Sequence, residues 1–216
     1  MKKTMLFTLV CVLNLSYLVG QEDAAFIKAR FDGNINKHFA TRIKIPIDVT
    51  ENYIQGNTVI SFKLSKDGEI SSVVVDENSH VSIAEQALSI LKSTEGRWRP
   101  TQVNNEPIDF VYKIVINNKV YSGPPPAKSE SIVLKEKSEK KIEKEQYEKA
   151  LRYIDKAIKL DLYKPPYYKI RSQIYTLLNM PNESEKDRLR AMRYEKEIIT
   201  IVNVSSYKIV TTRRIG

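Results

Sequence analysis

The side chains that could do chemistry in this sequence are few and scattered. His38 and His80 are its only histidines, and Cys11 is its only cysteine. The two histidines fall in different elements. A single thiol cannot build a disulfide framework, and these three residues make no thiolate or imidazole cage. Asp32, Asn34 and Asn36 imitate the start of a calcium loop. Lys37 stands where such a loop needs Gly, and Ile43 stands where it needs its closing Glu. Asp76-Glu77 is the tight acidic pair of the first half. Neighbouring carboxylates on a strand should point to opposite sides, which makes them poor partners for acid–base work. No serine sits in a nucleophile elbow, and the 7 glycines build no phosphate loop. The sequence therefore offers no catalytic residue, no metal site and no cofactor site, and it points away from an enzyme.

The chain has 216 residues, long enough for one or two domains. Its formal net charge of +9 is uneven. Residues 21–130 carry 13 basic and 14 acidic side chains, while residues 131–216 carry 20 and 12. That asymmetry suggests two modules. The basic excess and the tyrosines of the second module could suit nucleic acid. Glutamates interleaved with the lysines describe a solvated helix face instead, and an export signal argues against such a partner.

That signal is residues 1–20. Lys2 and Lys3 precede an uncharged run from Met5 to Val19, and small Gly20 precedes polar Gln21-Glu22-Asp23. This is the layout of a cleaved secretory signal. The run falls short of the ~20 residues that span a bilayer. An inner-membrane anchor over residues 5–19 is the alternative.

The chemistry-poor residues between 26 and 117 are rich in pattern. Ala24 to Phe39 has loosely helical apolar spacing, with Asp32-Gly33-Asn34 as a weak point. Ile60, Phe62 and Leu64 then alternate with polar neighbours. Lys66-Asp67-Gly68 is a hairpin turn, because Asp-Gly supplies positive φ. A second strand follows over Ile70 to Val75. Ser82 to Glu85 reads as a capping box, opening a helix whose stripe is Ile83, Ala84, Ala87, Leu88 and Leu91. Ile108, Phe110, Tyr112, Ile114 and Ile116 form a third alternating strand. The expected class is α+β: a small antiparallel three-stranded sheet with one covering helix, followed by a helical module.

Ile45-Pro46, Gln55-Gly56, Lys66-Asp67-Gly68, Arg97-Trp98-Arg99-Pro100 and Asn105-Glu106-Pro107-Ile108 occur in an order and at a spacing that resemble the C-terminal domain of TonB-type energy transducers of Gram-negative bacteria. The structural signature is Pro46, Gly56, Asp67, Gly68, Trp98, Pro100 and Pro107. The resemblance implies a periplasmic domain whose sheet edge pairs with the N-terminal segment of an outer-membrane transporter by strand addition. Here that edge is the last strand, with Ile108, Phe110, Val111, Tyr112, Lys113 and Ile114 as the partner-binding residues. The long Pro-rich spacer of the transducers has no counterpart. A membrane-anchored transducer with a shortened spacer and a structural envelope scaffold are the alternatives to a periplasmic interaction protein.

Residues 118–130 form a Pro-rich linker. Residues 131–198 contain a 34-residue echo, in which Ala157 recurs as Ala191 and Ala150 as Ser184. Tyr147 to Asp161 looks like the second helix of a tetratricopeptide repeat, and Pro165-Pro166 starts the next unit. The resemblance places Lys169, Gln173 and Thr176 in a partner-binding groove. Fewer repeats than the usual three imply that this module leans on the first module, on the tail or on a second copy of the chain. The tail, 199–216, has strand composition, with Ser205-Ser206 as a turn.

Trp98 should pack where the chain turns into the last strand. Replacing it with Ala should cost ~3–5 kcal/mol in denaturant unfolding. A loss below ~1 kcal/mol would mean that it is exposed and free to bind.

Overall fold

A computed structural model describes residues 25–208. The signal segment and residues 209–216 lie outside the described residues. The chain begins with β1 (Phe26–Ile27), β2 (Arg30–Phe31), α1 (Ile35–Ala40) and α2 (Ile47–Glu51). The helical spacing read from Ala24 onward therefore holds only after Asn34. The side chain of Asn34 caps α1 by accepting from the Lys37 N–H at 2.8 Å. Upstream of it, pairing to later strands overrides the local pattern.

The sheet is built from β3 (Gly56–Leu64), β4 (Ile70–Glu77) and, after α3 (Val81–Lys92), the long β8 (Phe110–Tyr121). Three short strands come between: β5 (Trp98–Arg99), β6 (Thr101–Val103) and β7 (Glu106–Ile108). β1 pairs with β6 and β6 with β7, while β2 pairs with β5. Ile60, Phe62 and Leu64 share a buried core with Ile83, Ala87 and Leu91, and Leu88 packs against it. Trp98 is buried there between Phe31 and Phe62, at centroid distances of 5.3 and 5.8 Å. Its indole N–H donates to Thr94 Oγ1 at 2.9 Å. Gly68 adopts φ +84, and an added Cβ would meet the Trp98 carbonyl at 2.7 Å. The Asp-Gly turn is thus required for its φ and for its closeness to β5. The capping box is not used. α3 starts at Val81, and its N-cap, His80, makes no side-chain cap hydrogen bond. The His80 ring instead pairs with Asp48 at 3.1 Å.

After residues 122–129 come α4 (Glu130–Ile142), α5 (Tyr147–Leu160), α6 (Pro165–Leu177) and α7 (Pro181–Glu197). Two equivalent hydrogen bonds mark their repetition. The Ser138 hydroxyl donates to the Ala150 carbonyl at 2.9 Å. The Ser172 hydroxyl donates to the Ser184 carbonyl at 2.8 Å, with donor and acceptor each 34 residues further on. Small side chains there let the paired helices approach closely. Arg171 on α6 joins three helices. It grips buried Asp187 of α7 through two bonds, at 2.6 and 2.9 Å, and Asp155 of α5 at 2.8 Å.

α7 runs without a loop into β9 (Ile198–Tyr207). β9 lies parallel to β8, with register pairs from Lys113–Ile198 to Tyr121–Tyr207. The sheet therefore has four strands, in the order β4-β3-β8-β9, rather than the three expected. Ser205-Ser206, read as a turn, lies inside β9. The whole helical arm is the crossover that a parallel pair requires. Its seam with the sheet buries Val59, Val115 and Ile198 under Tyr163 and Tyr194. The arm leans on the sheet and on the tail strand, two of the supports the sequence allows.

Arg171→Met should destabilise the arm by about 3–5 kcal/mol, because it leaves the Asp187 carboxylate buried and unpaired. The double variant Arg171→Met/Asp187→Leu should recover much of that loss in urea unfolding. A single-variant loss near zero would show that water reaches Asp187.

Candidate peptide-docking edge

The residues offered to a partner on sequence grounds lie mostly in β8, and β8 is an interior strand. One side of it pairs with β3 from Phe110 to Asn118, and the other with β9. Of the edge expected at Ile108, Phe110, Val111, Tyr112, Lys113 and Ile114, the chain's own tail pairs with Lys113 and Ile114, while Phe110, Val111 and Tyr112 precede the β8–β9 register. Phe110, Tyr112 and Ile114 turn their side chains into the core. The Tyr112 hydroxyl accepts from the Ala29 N–H at 2.9 Å and lies 2.6 Å from Thr101 Oγ1. Burial raises its pKa. Lys113 donates to Asp76 at 2.5 Å, and Ile108 sits in β7. The sequence signal for this was the strand composition of the tail, which named no partner.

The sheet ends instead at β4 and β9. β4 is poorly suited to another strand. Its pairing with β3 shifts register twice, and Ser72 takes φ +49. Bulges of this kind guard an edge. One of them places Val59 opposite Glu77 and Ile60 opposite Val75, so Asp76 is the extra residue. Asp76 and Glu77 then reach the same face, contrary to the simple alternation expected. Asp76 accepts from Ser61 and Lys113, and Glu77 accepts from the Tyr163 hydroxyl. Burial and the acceptor Glu77 push Tyr163 well above the usual phenol range.

β9 differs along its length. Near its start the outer side is occupied. Lys28 donates to the Glu195 and Ile198 carbonyls at 2.9 and 2.5 Å. Asn36 donates to the Ile201 carbonyl at 2.7 Å. That carbonyl points away from β8, so alternation turns the backbone groups of Asn203, Ser205 and Tyr207 outward as well. Lys208, of opposite phase, donates its N–H to the Tyr121 carbonyl at 3.1 Å. No backbone partner meets the outward groups of 203–207 among the described residues. This stretch contains no charge, no Pro and no bulge.

On the arm-facing side of β8 and β9, Asp161 pins the seam. It accepts from Asn117 at 3.0 Å, Lys119 at 3.1 Å and the Ser131 hydroxyl. The residues assigned to a helical groove are not equivalent. Lys169 pairs with Glu195 of α7 at 2.6 Å. Thr176 shares a hydrogen bond with Ser184 of α7 at 2.8 Å, so both lie along the α6–α7 seam. Gln173 is exposed. Of the signature residues, Pro46 is the N-cap of α2 and Gly56 opens β3 at φ +152. Pro100 separates β5 from β6, and Pro107 lies in β7. Among the described residues no group of acidic, His or Cys side chains could hold a metal ion, and no helix is long and apolar enough to cross a membrane.

Residues 41–119 match the family model of the Gram-negative bacterial TonB protein C-terminal domain. No curated protein and no solved structure matches the chain. The matched segment runs from α2 to β8 and stops before the arm. That similarity covers 79 of the 216 residues and points to a TonB-like protein-interaction role.

Glu197, at the α7–β9 junction, gives the seam a pH dependence. Burial raises its pKa, against the opposing pull of Arg193 and Lys113, and Asp76 adds to the rise. A carboxyl raised in the folded state binds its proton more tightly there than in the unfolded chain. The resulting stability is present in acid and is lost as pH rises through the folded pKa. Glu197→Gln should therefore melt higher than the parent at neutral pH and close to it near pH 4. A lower neutral melting temperature for the variant would show that Arg193 needs the carboxylate.

Proposed function

We propose that this protein is exported to the periplasm, loses its signal near Gly20, and captures an extended segment of a partner protein by strand addition. The acceptor is the outer edge of β9 over residues 203–207, and the candidate partner is the N-terminal segment of an outer-membrane transporter. The observation that carries this reading is the row of outward backbone groups that meet no partner among the described residues, on a stretch with no charge, Pro or bulge. The family match over residues 41–119 supports it, since the matched domain is one that works by protein contact. The parallel docking of β9 on β8 supports it too, because this sheet already accepts an extended segment in the place where the family resemblance puts a partner.

The reading treats the chain as two units sharing one sheet: a TonB-like unit over residues 26–117 and an arm over 131–198. The matched Ser138 and Ser172 hydrogen bonds support an arm of two tetratricopeptide-type repeats. With so few repeats, the arm serves better as a brace for β9 than as an independent receptor. A partner in the helical groove would need Lys169 and Thr176, which already bond to α7.

Proline variants in the mature chain separate the possible edges. Ser205→Pro removes an outward N–H and leaves the β8–β9 ladder whole. It should weaken binding of transporter N-terminal peptides at least about tenfold in fluorescence anisotropy, with a small change in melting temperature. Ser206→Pro removes an inward N–H, so it should lower the melting temperature first. Wild-type affinity in Ser205→Pro would overturn the assignment. Tighter binding by Ser206→Pro would overturn it in favour of a partner that displaces β9 from β8.

A further inference from the structure

A cavity of about 260 Å³ opens where the arm meets the distal halves of β8 and β9. Its floor is Lys119 and Tyr121 of β8 with Asn203 and Ser205 of β9, and its far wall carries Asp161 and Lys164 from the α5–α6 turn. Drug-sized ligands need roughly 300 Å³ or more, so this space suits a single side chain.

The charges within it do not cancel. Asp161 is buried and fully engaged: one carboxylate oxygen takes Asn117 and Lys119, and the other takes the Ser131 hydroxyl. Lys119 and Asp161 therefore neutralise each other across 3.1 Å. The Lys164 ammonium has no ion pair or hydrogen bond among the described residues. The same holds for the Ser205 hydroxyl, the Asn203 amide and the Tyr121 phenol. The cavity thus holds an unneutralised cation ringed by donors that lack acceptors. The ligand chemistry that answers both is an oxyanion. The position of the cavity narrows the source. Asn203 and Ser205 belong to the stretch of β9 whose outer edge is open. A strand laid along that edge turns every second side chain toward the arm.

We propose that the seam cavity is a carboxylate pocket that takes one Asp or Glu side chain of the docked segment. Lys164 supplies the charge, and Ser205, Asn203 and Tyr121 supply the hydrogen bonds. The pocket would read one position of an otherwise sequence-tolerant strand, since main-chain pairing gives affinity and side-chain pockets give specificity. The proposal rests on the strand-addition reading for the carrier of the carboxylate, but not for the pocket's chemistry.

The test uses probes too small to form a strand. The full mature chain, labelled with 15N, is titrated with N-acetyl-aspartate N-methylamide, with the neutral N-acetyl-asparagine N-methylamide, and with inorganic phosphate. The acid should shift the amide resonances of Lys164, Asn203 and Ser205 saturably, and the neutral analogue should not. Lys164→Gln should weaken the acid about tenfold, whereas Lys164→Arg should retain it. Raising salt should weaken it as well. Equal binding of the neutral analogue, or an unchanged acid affinity in Lys164→Gln, would overturn the pocket. Phosphate that competes at the same resonances and binds tighter than the acid would also overturn it, by making the cavity a free-anion site. Acid binding in a chain that captures no peptide would overturn the edge reading alone. Peptide capture indifferent to Lys164 would overturn the pocket alone.

Discussion

The parallel pairing of β8 with β9 is the constraint from which the rest of the structure follows. Two neighbouring strands can run the same way only if the chain is carried back to the end of the sheet where it began. Here residues 122–197 do that carrying, and they form all four arm helices. The arm is therefore not an appendage. Its last helix must end where β9 begins, and the absence of a loop between Glu197 and Ile198 fixes both together. Lys28 clasps this junction from the opposite end of the sequence, placing an ammonium on carbonyls at the helix terminus where the macrodipole favours it.

Placing a helical arm across one face of the sheet brings polar groups into the seam, and each must find a partner there. The bulge in β4 turns both Asp76 and Glu77 toward the arm, where Lys113, Ser61 and Tyr163 receive them. Asp161 does the same from the arm side, by holding Asn117 and Lys119 of β8. These bonds fix the lateral position of the arm more sharply than the small apolar cluster beneath Tyr163 and Tyr194 could. The seam is specified by polar geometry, and the core on the opposite face by apolar volume.

Much of the TonB-like unit was legible in the sequence because its signals are local. The alternation of Ile60, Phe62 and Leu64, the Asp-Gly turn and the stripe on α3 each declare themselves within a dozen residues. β1 and β2 did not, since strands of two residues have no period to read and exist only through β5 and β6. The bulge at Asp76 was illegible for a related reason: it depends on the register of two strands rather than on the residue itself. The tail could be read as strand but not placed, because nothing in Ile198 to Tyr207 names β8 as its neighbour. That omission moved the candidate site. Lys113 and Ile114 looked like an edge only while β9 had no position. The 34-residue echo, by contrast, was visible at Ala150 and Ser184 and returns as two matching hydroxyl–carbonyl bonds.

The β8–β9 register also sets an order of events. Lys113 must wait for Ile198, so β8–β9 is the most sequence-distant of the strand pairings among the described residues and should close after the local hairpins and helix pairs. Until it closes, the core lacks Val202, and β8 offers a long unpaired row of backbone groups. A chain cut by a protease anywhere in the arm, between Tyr121 and Ile198, would risk returning to that state if its tail strand were lost. The helical brace that positions β9 in the intact molecule is thus also its weak point under proteolysis: a cleavage there that freed β9 would exchange a short open edge for the long one of β8.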